Sequence, residues 1–111
     1  MSAAVMAATV AVPAAHAKRL SQQEVVAMMV GKPIVTRQFG VKVNLRFTPS
    51  GTVRAKTILG SYTGNWRRGS GRSICTSFPT GPAKGTQCVT YEALGGNKYR
   101  TSKGTVFSVL D

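Results

Sequence analysis

The chain reads as mainly β: a small antiparallel β-barrel or sandwich meander with one short N-terminal helix. Three observations predict this. Residues 41–47, Val41-Lys42-Val43-Asn44-Leu45-Arg46-Phe47, alternate apolar and polar without error, as a strand with one buried and one wet face requires. After Pro33, short runs of strand-forming residues recur at nearly even spacing between clusters of Gly, Pro, Asn and Ser. Before Pro33 stands one clear helix signal and no other.

That helix begins at a capping box. In Ser21-Gln22-Gln23-Glu24 the Ser21 hydroxyl and the Glu24 carboxylate each satisfy an orphan backbone donor, and Leu20 can staple against Val25. The helix is expected to run to about Val30. Gly31 suits the left-handed position that ends a helix, and Pro33 cannot continue it. Val25, Met28 and Met29 form an apolar face meant for the core.

The next elements form a hairpin. Thr48-Pro49-Ser50-Gly51 supplies a turn with Pro at its second position and Gly where φ must be positive, giving a three-residue loop. That length sets Phe47 opposite Val53 and Leu45 opposite Ala55, so both strands bury one face, with Phe47 and Leu45 in the core. A two-residue loop would bring Arg46 against Val53 and mix the faces. Further strands are expected at 65–68, 73–78, 86–92, 98–101 and 105–110, separated by Gly69-Ser70-Gly71, the Pro/Gly-rich segment 79–85, Gly95-Gly96-Asn97 and Ser102-Lys103-Gly104. Alternation then places Trp66, Ile74, Phe78, Val89 and Tyr91 on one face. Cys75 and Cys88 fall together on the other, which predicts an outer-face disulfide between neighbouring strands.

Charge bounds the chemistry. Fifteen Lys and Arg stand against three acids, Glu24, Glu92 and Asp111, for a net charge of +12, and every cation follows Ala17. Residues 3–12 are an apolar, Ala-rich run, followed by Pro13 and by Ala15-His16-Ala17, the small-x-small pattern that signal peptidase accepts. The expected organisation is therefore a signal peptide over 1–17 and a single small β-barrel domain over 18–111, periplasmic or secreted. Cleavage would remove His16, the only histidine. No run approaches the roughly 20 apolar residues of a membrane-spanning helix. Two cysteines in a small exported chain favour a disulfide, and closing a loop of this size stabilises by about 3 kcal/mol. Without histidine or further thiols they cannot build a zinc site, so no metal and no cofactor is expected.

Gly64-Asn65-Trp66 opens a strand, a cysteine strand and a second cysteine strand follow, and all of it stands behind a leader and a short helix. In this the chain resembles the small exported, loosely lipocalin-like β-barrel proteins of alpha-proteobacteria, most of which have no assigned function. The resemblance implies a barrel and an envelope location, and carries over no catalytic residues. The chain is shorter than a ligand-storing lipocalin, which argues against a roomy interior pocket.

Two cationic clusters are the candidate anion-binding residues. The hairpin register sets Arg46 opposite Arg54 and Asn44 opposite Lys56, with Lys42 extending the stripe; like charges directly opposite repel unless they splay into solvent or share an anion. Arg67, Arg68 and Arg72 flank Gly69-Ser70-Gly71, where backbone donors and guanidinium forks can hold phosphate or carboxylate. The segment Gly81-Pro82-Ala83-Lys84-Gly85-Thr86 is not a phosphate loop, because Gly follows the Lys and a strand comes next.

The leading reading is a non-enzymatic envelope protein that binds an anionic partner through its basic surface: lipopolysaccharide, acidic polysaccharide, anionic lipid or an acidic protein. A nucleic-acid-binding barrel is the alternative if the chain is not exported, with Tyr62, Trp66 and Tyr91 as stacking groups. A cationic nuclease-like enzyme is the third. Hydrolysis commonly uses a carboxylate pair, a histidine or a metal, and with Glu24 committed to the cap and Asp111 at the C-terminus only Glu92 remains, so no catalytic residue is assigned.

Overall fold

The structure is a computed structural model that describes residues 17–110. The expected leader, apart from Ala17, lies outside the described residues. Among them ten antiparallel strands form one strongly curled sheet, a half-barrel, and one helix packs over one end. In chain order they are β1 (Lys18–Arg19), α1 (Gln22–Met29), β2 (Ile34–Gln38), β3 (Val41–Phe47), β4 (Thr52–Thr57), β5 (Gly60–Arg68), β6 (Ile74–Phe78), β7 (Gly85–Val89), β8 (Tyr91–Gly95), β9 (Lys98–Thr101) and β10 (Val106–Val109). Their spatial order is β1-β8-β9-β10-β2-β3-β4-β5-β6-β7.

The helix starts as its capping box dictates: Glu24 N–H donates to Ser21 Oγ at 3.1 Å and Ser21 N–H donates to Glu24 Oε1 at 2.8 Å. It stops one residue earlier than expected. Val30 is already extended and forms a parallel bridge with Phe47, while Gly31, at φ +84°, donates its N–H to Phe47 O at 2.7 Å. Leu20, Val25 and Met29 are all buried in the core. Three more bonds bolt this helix region to the sheet: Leu20 N–H donates to Tyr91 O, and Gln22 Nε2 donates to both Gly69 O and Ser73 O at 2.9 Å. The helix therefore caps the end of the half-barrel that carries the β3–β4 and β5–β6 turns.

The hairpin register is the expected one, Leu45 opposite Ala55, Arg46 opposite Arg54 and Phe47 opposite Val53, with Gly51 at φ +95°. Phe47 is buried, but Leu45 is only half-buried because it faces a cavity rather than packed side chains. The strands expected at 73–78, 98–101 and 105–110 agree with β6, β9 and β10 to within a residue at each end. β5 begins five residues before the expected 65, at Gly60, because it pairs with the whole of β4.

The run expected as one strand over 86–92 does not stay one. It breaks at Thr90 into β7, paired with β6, and β8, paired with β9. Thr90 itself is tied to the β9–β10 turn, its carbonyl accepting from Ser102 N–H at 2.8 Å and its N–H donating to Ser102 Oγ at 3.1 Å. One continuous segment thus joins the two ends of the sheet, pairing on one side with its first half and on the other with its second. This stagger is what curling a sheet toward closure demands. β1 and β2 had no strand of their own among the expectations; β1 is only two residues of edge pairing on β8.

Cys75 and Cys88 are direct cross-strand partners on β6 and β7 and are disulfide-bonded, S–S 2.01 Å. Alternation puts them on the face opposite Ile74 and Val89, as expected. Cys75 is nonetheless 2% exposed, because Gly69 lies over it: a Cβ there would stand 2.7 Å from the Cys75 sulfur.

Candidate functional site

The convex face carries the cations. Behind the β2–β3 turn Arg37 is directly opposite Lys42; further along the sheet Lys56 is opposite Asn44, and Arg54 is opposite Arg46. These five cations are all exposed. Arg46 Nη1 donates to Gly31 O at 3.1 Å, which anchors one guanidinium to the chain leaving the helix. The two described acids are engaged elsewhere. Glu24 accepts from the Ser21 backbone and from Lys18 at 3.2 Å, and the Ser21 N–H, more than the lysine, holds its carboxyl below the usual 4.5. Glu92 pairs with Arg100 at 3.3 Å. Among the described residues no carboxylate neutralises the stripe, and no cluster of three His, Cys, Asp or Glu side chains gathers.

The second cluster is spread out. Arg67 stands opposite Cys75 and Arg68 opposite Ile74, so alternation sends them to opposite faces. Arg72 instead joins Arg19, Arg100 and Glu92 around a small cleft of about 280 Å³. At the turn between them the Gly69 and Ser73 N–H groups are consumed within the loop, donating to Ser73 O and Ser70 O. Lys42, Arg46, Arg54 and Lys56 are brought together on neighbouring strands; Arg67, Arg68 and Arg72 are not.

The concave face holds what sequence reasoning missed. At the helix end its inward positions are large and sealed: Ile34, Phe47, Val53, Ile74 and Val109 are each less than 8% exposed. Phe47 meets the Trp66 ring edge-on at 6.2 Å, and Trp66 Nε1 donates to Thr48 O at 2.7 Å. Toward the other end the inward positions become small: Ala55, Thr57, Thr76, Thr101 and Thr105. The volume they leave is a cavity of about 1340 Å³, walled also by Val41, Val43, Leu45, Tyr62 and Phe78. Ordinary ligand pockets measure roughly 300–1,000 Å³, and this space is an open one along the concave face of the half-barrel, not the closed calyx of a larger barrel. The sheet curls around the space, and small side chains keep it from filling.

No Lys, Arg, Asp or Glu projects from the inward positions of this wall. Thr36, buried there, is satisfied by donating to Val106 O at 2.8 Å. Tyr91 is 6% exposed, and burial pushes its phenol up to about 12. Cations instead stand along the cavity's borders: Arg37, Lys42, Lys84, Lys98 and Lys103. The mouth is built from the β2–β3, β4–β5 and β6–β7 turns. Two of them carry apolar tips: Phe39 is 70% exposed, Ile58 89% and Leu59 68%. Phe39 also sits at φ +54°, a left-handed conformation that costs a side chain about 1–2 kcal/mol. Large apolar residues at two-residue turns, where Asn and Gly are the rule, were the signal in the sequence that marked this end as special. A ligand that matches the site has an apolar body for the wall and an anion for the rim.

No family model matches the chain, and no curated protein or solved structure matches it significantly either.

Proposed function

We propose that the protein is a periplasmic or secreted, non-enzymatic binding protein for an anionic amphiphile, the lipid member of the class of anionic partners that its charge predicts. One observation carries this reading: an open cavity of about 1340 Å³ along the concave face is lined at its inward positions by apolar and hydroxyl side chains and is bordered by the cations Arg37, Lys42, Lys84, Lys98 and Lys103. An acyl chain removed from water gains roughly 0.8 kcal/mol per buried CH₂, and the anion stays at the rim, where it need not be desolvated. The Cys75–Cys88 disulfide, a bond that persists in oxidising compartments, supports the location.

Titration of the purified protein with dodecyl sulfate below its micelle concentration, followed by calorimetry, is the test. One molecule per chain should bind, dodecanol should bind about tenfold or more weakly for want of the charge, and Ala55→Trp, which puts an indole into the cavity beside Leu45, should weaken both by about tenfold or more. Binding that Ala55→Trp leaves intact would refute the cavity reading.

A second reading is favoured by the Arg46–Arg54 juxtaposition: the convex stripe holds a polyanion such as lipopolysaccharide phosphate or acidic polysaccharide. Retention on heparin should then weaken steeply toward physiological salt, where exposed charges are screened beyond about 8 Å. The pair Arg46→Glu and Arg54→Glu should cost more retention than the same reversal at Lys18 and Lys98; equal losses would leave only a generally basic surface.

A further inference from the structure

The two apolar tips belong to strands that are consecutive in the sheet. Phe39-Gly40 joins β2 to β3, and Ile58-Leu59 joins β4 to β5, so the tips stand about 10 Å apart at strand spacing. Each is flanked one step back by cations: Arg37 and Lys42 face each other behind Phe39, and Lys56 stands behind Ile58. Lys84 lies on the β6–β7 loop of the same end. The two acids among the described residues are elsewhere, Glu24 on the helix that caps the opposite end and Glu92 paired with Arg100. Solubility and turn geometry would both be served better by Asn or Gly at Phe39, yet an aromatic is held there against its backbone preference and against water.

We infer that this mouth docks on a bilayer surface containing anionic phospholipid. Phe39, Ile58 and Leu59 enter the boundary between headgroups and acyl chains, while Arg37, Lys42, Lys56 and Lys84 lie at the depth of the phosphates, their aliphatic stems along the apolar tips. Apolar anchors alone would serve any lipid surface, and cations alone any polyanion; their arrangement in two levels at one end matches the two levels of a leaflet. The cavity then opens toward the membrane, so an amphiphile moves between bilayer and cavity without crossing water. Docking itself needs no cavity ligand and stands apart from the proposed function.

The test is co-sedimentation of the full domain with vesicles of phosphatidylcholine alone and of phosphatidylcholine with phosphatidylglycerol. The protein should partition onto the anionic vesicles and about tenfold or more weakly onto the neutral ones. The triple variant Phe39→Asn, Ile58→Ser, Leu59→Ser, whose turns are improved by the change, should lose about tenfold or more on the anionic vesicles with its charge untouched. Ala55→Trp should dock like the parent protein, which separates this result from the failure or success of cavity binding. In Phe39→Trp, emission should shift to the blue on vesicles and be quenched by brominated lipid, whereas Trp66 at the far end should not respond. Equal sedimentation of the triple variant and the parent would overturn the inference in favour of charge alone. Absence of vesicle binding would overturn it too, as would a parent dimer that the triple variant converts to monomer with no change on vesicles, since the tips would then cover a second copy of the chain.

Discussion

Inward residues obey one alternation from end to end of the half-barrel, yet the two ends use it differently. At the helix end Ile74 and Val53 are 0% exposed beneath α1 and the Phe47–Trp66 pair. At the mouth Leu45, Ala55 and Tyr62, in equivalent inward positions, are only half-buried, and the tips beyond them are bare. The period-two pattern assigns a face to each residue and says nothing of what stands across from it. One end has a helix bonded at Leu20, Gln22 and Gly31 to three separate parts of the sheet. The other has three turns around an opening. Stability belongs to the first end, and binding is proposed for the second.

The comparison is sharpest for truncations. Ile74→Ala should cost about 2–5 kcal/mol, because its neighbours are locked and the void persists, while Leu45→Ala should cost about 1 kcal/mol, since the cavity is already there. Equal effects in urea unfolding would mean that the mouth is packed like the capped end. Replacing both cysteines by Ser should cost about 3 kcal/mol through the loop that the disulfide closes, measurable as a lowered denaturation midpoint without reductant. Ser21→Ala should remove about 1 kcal/mol by opening the capping box and should leave amphiphile binding unchanged if the two ends are independent.

Alkaline pH gives a further separation. The Tyr91 proton is held up to about 12 in the folded protein, against 10 ordinarily. Between these values the folded state keeps a proton that the unfolded state releases, so this contribution is fully present below pH 10 and is lost as pH rises toward 12. Tyrosinate absorbance should show one late-titrating phenol that disappears in Tyr91→Phe, and that variant should lose less stability over the same interval. The smallest effect is expected at the mouth. Phe39→Asn should leave stability unchanged or raise it by up to about 1 kcal/mol, since Asn tolerates the left-handed turn; a loss of more than that would show that Phe39 is a structural residue and weaken its reading as an anchor.

Much of the frame was legible because it is local. The capping box spans four residues, the Thr48–Gly51 loop sets its own register, and the disulfide face follows from counting along β6 and β7. What was not legible depends on partners far along the chain. Nothing near Thr90 announces that the run must switch from β6 to β9; that is settled by Ser102 and by the curl of the whole sheet. The stripe of Lys42, Arg46, Arg54 and Lys56 lies within one hairpin and was readable, whereas Arg67 and Arg68, adjacent in sequence, separate because the sheet sends neighbours to opposite faces.

The sequence by itself determined the mainly β class, the position of the helix, the hairpin register, the disulfide partners and the sign of the charge, since each rests on residues a few positions apart. Only the tertiary structure decided that the sheet curls around a cavity, that one end is capped and the other open, and that Phe39, Ile58 and Leu59 meet a set of cations at one mouth. Volume and grouping are properties of closure: they arise when strands far apart in sequence come round to face one another, and small inward residues become empty space only when there is an opposite wall.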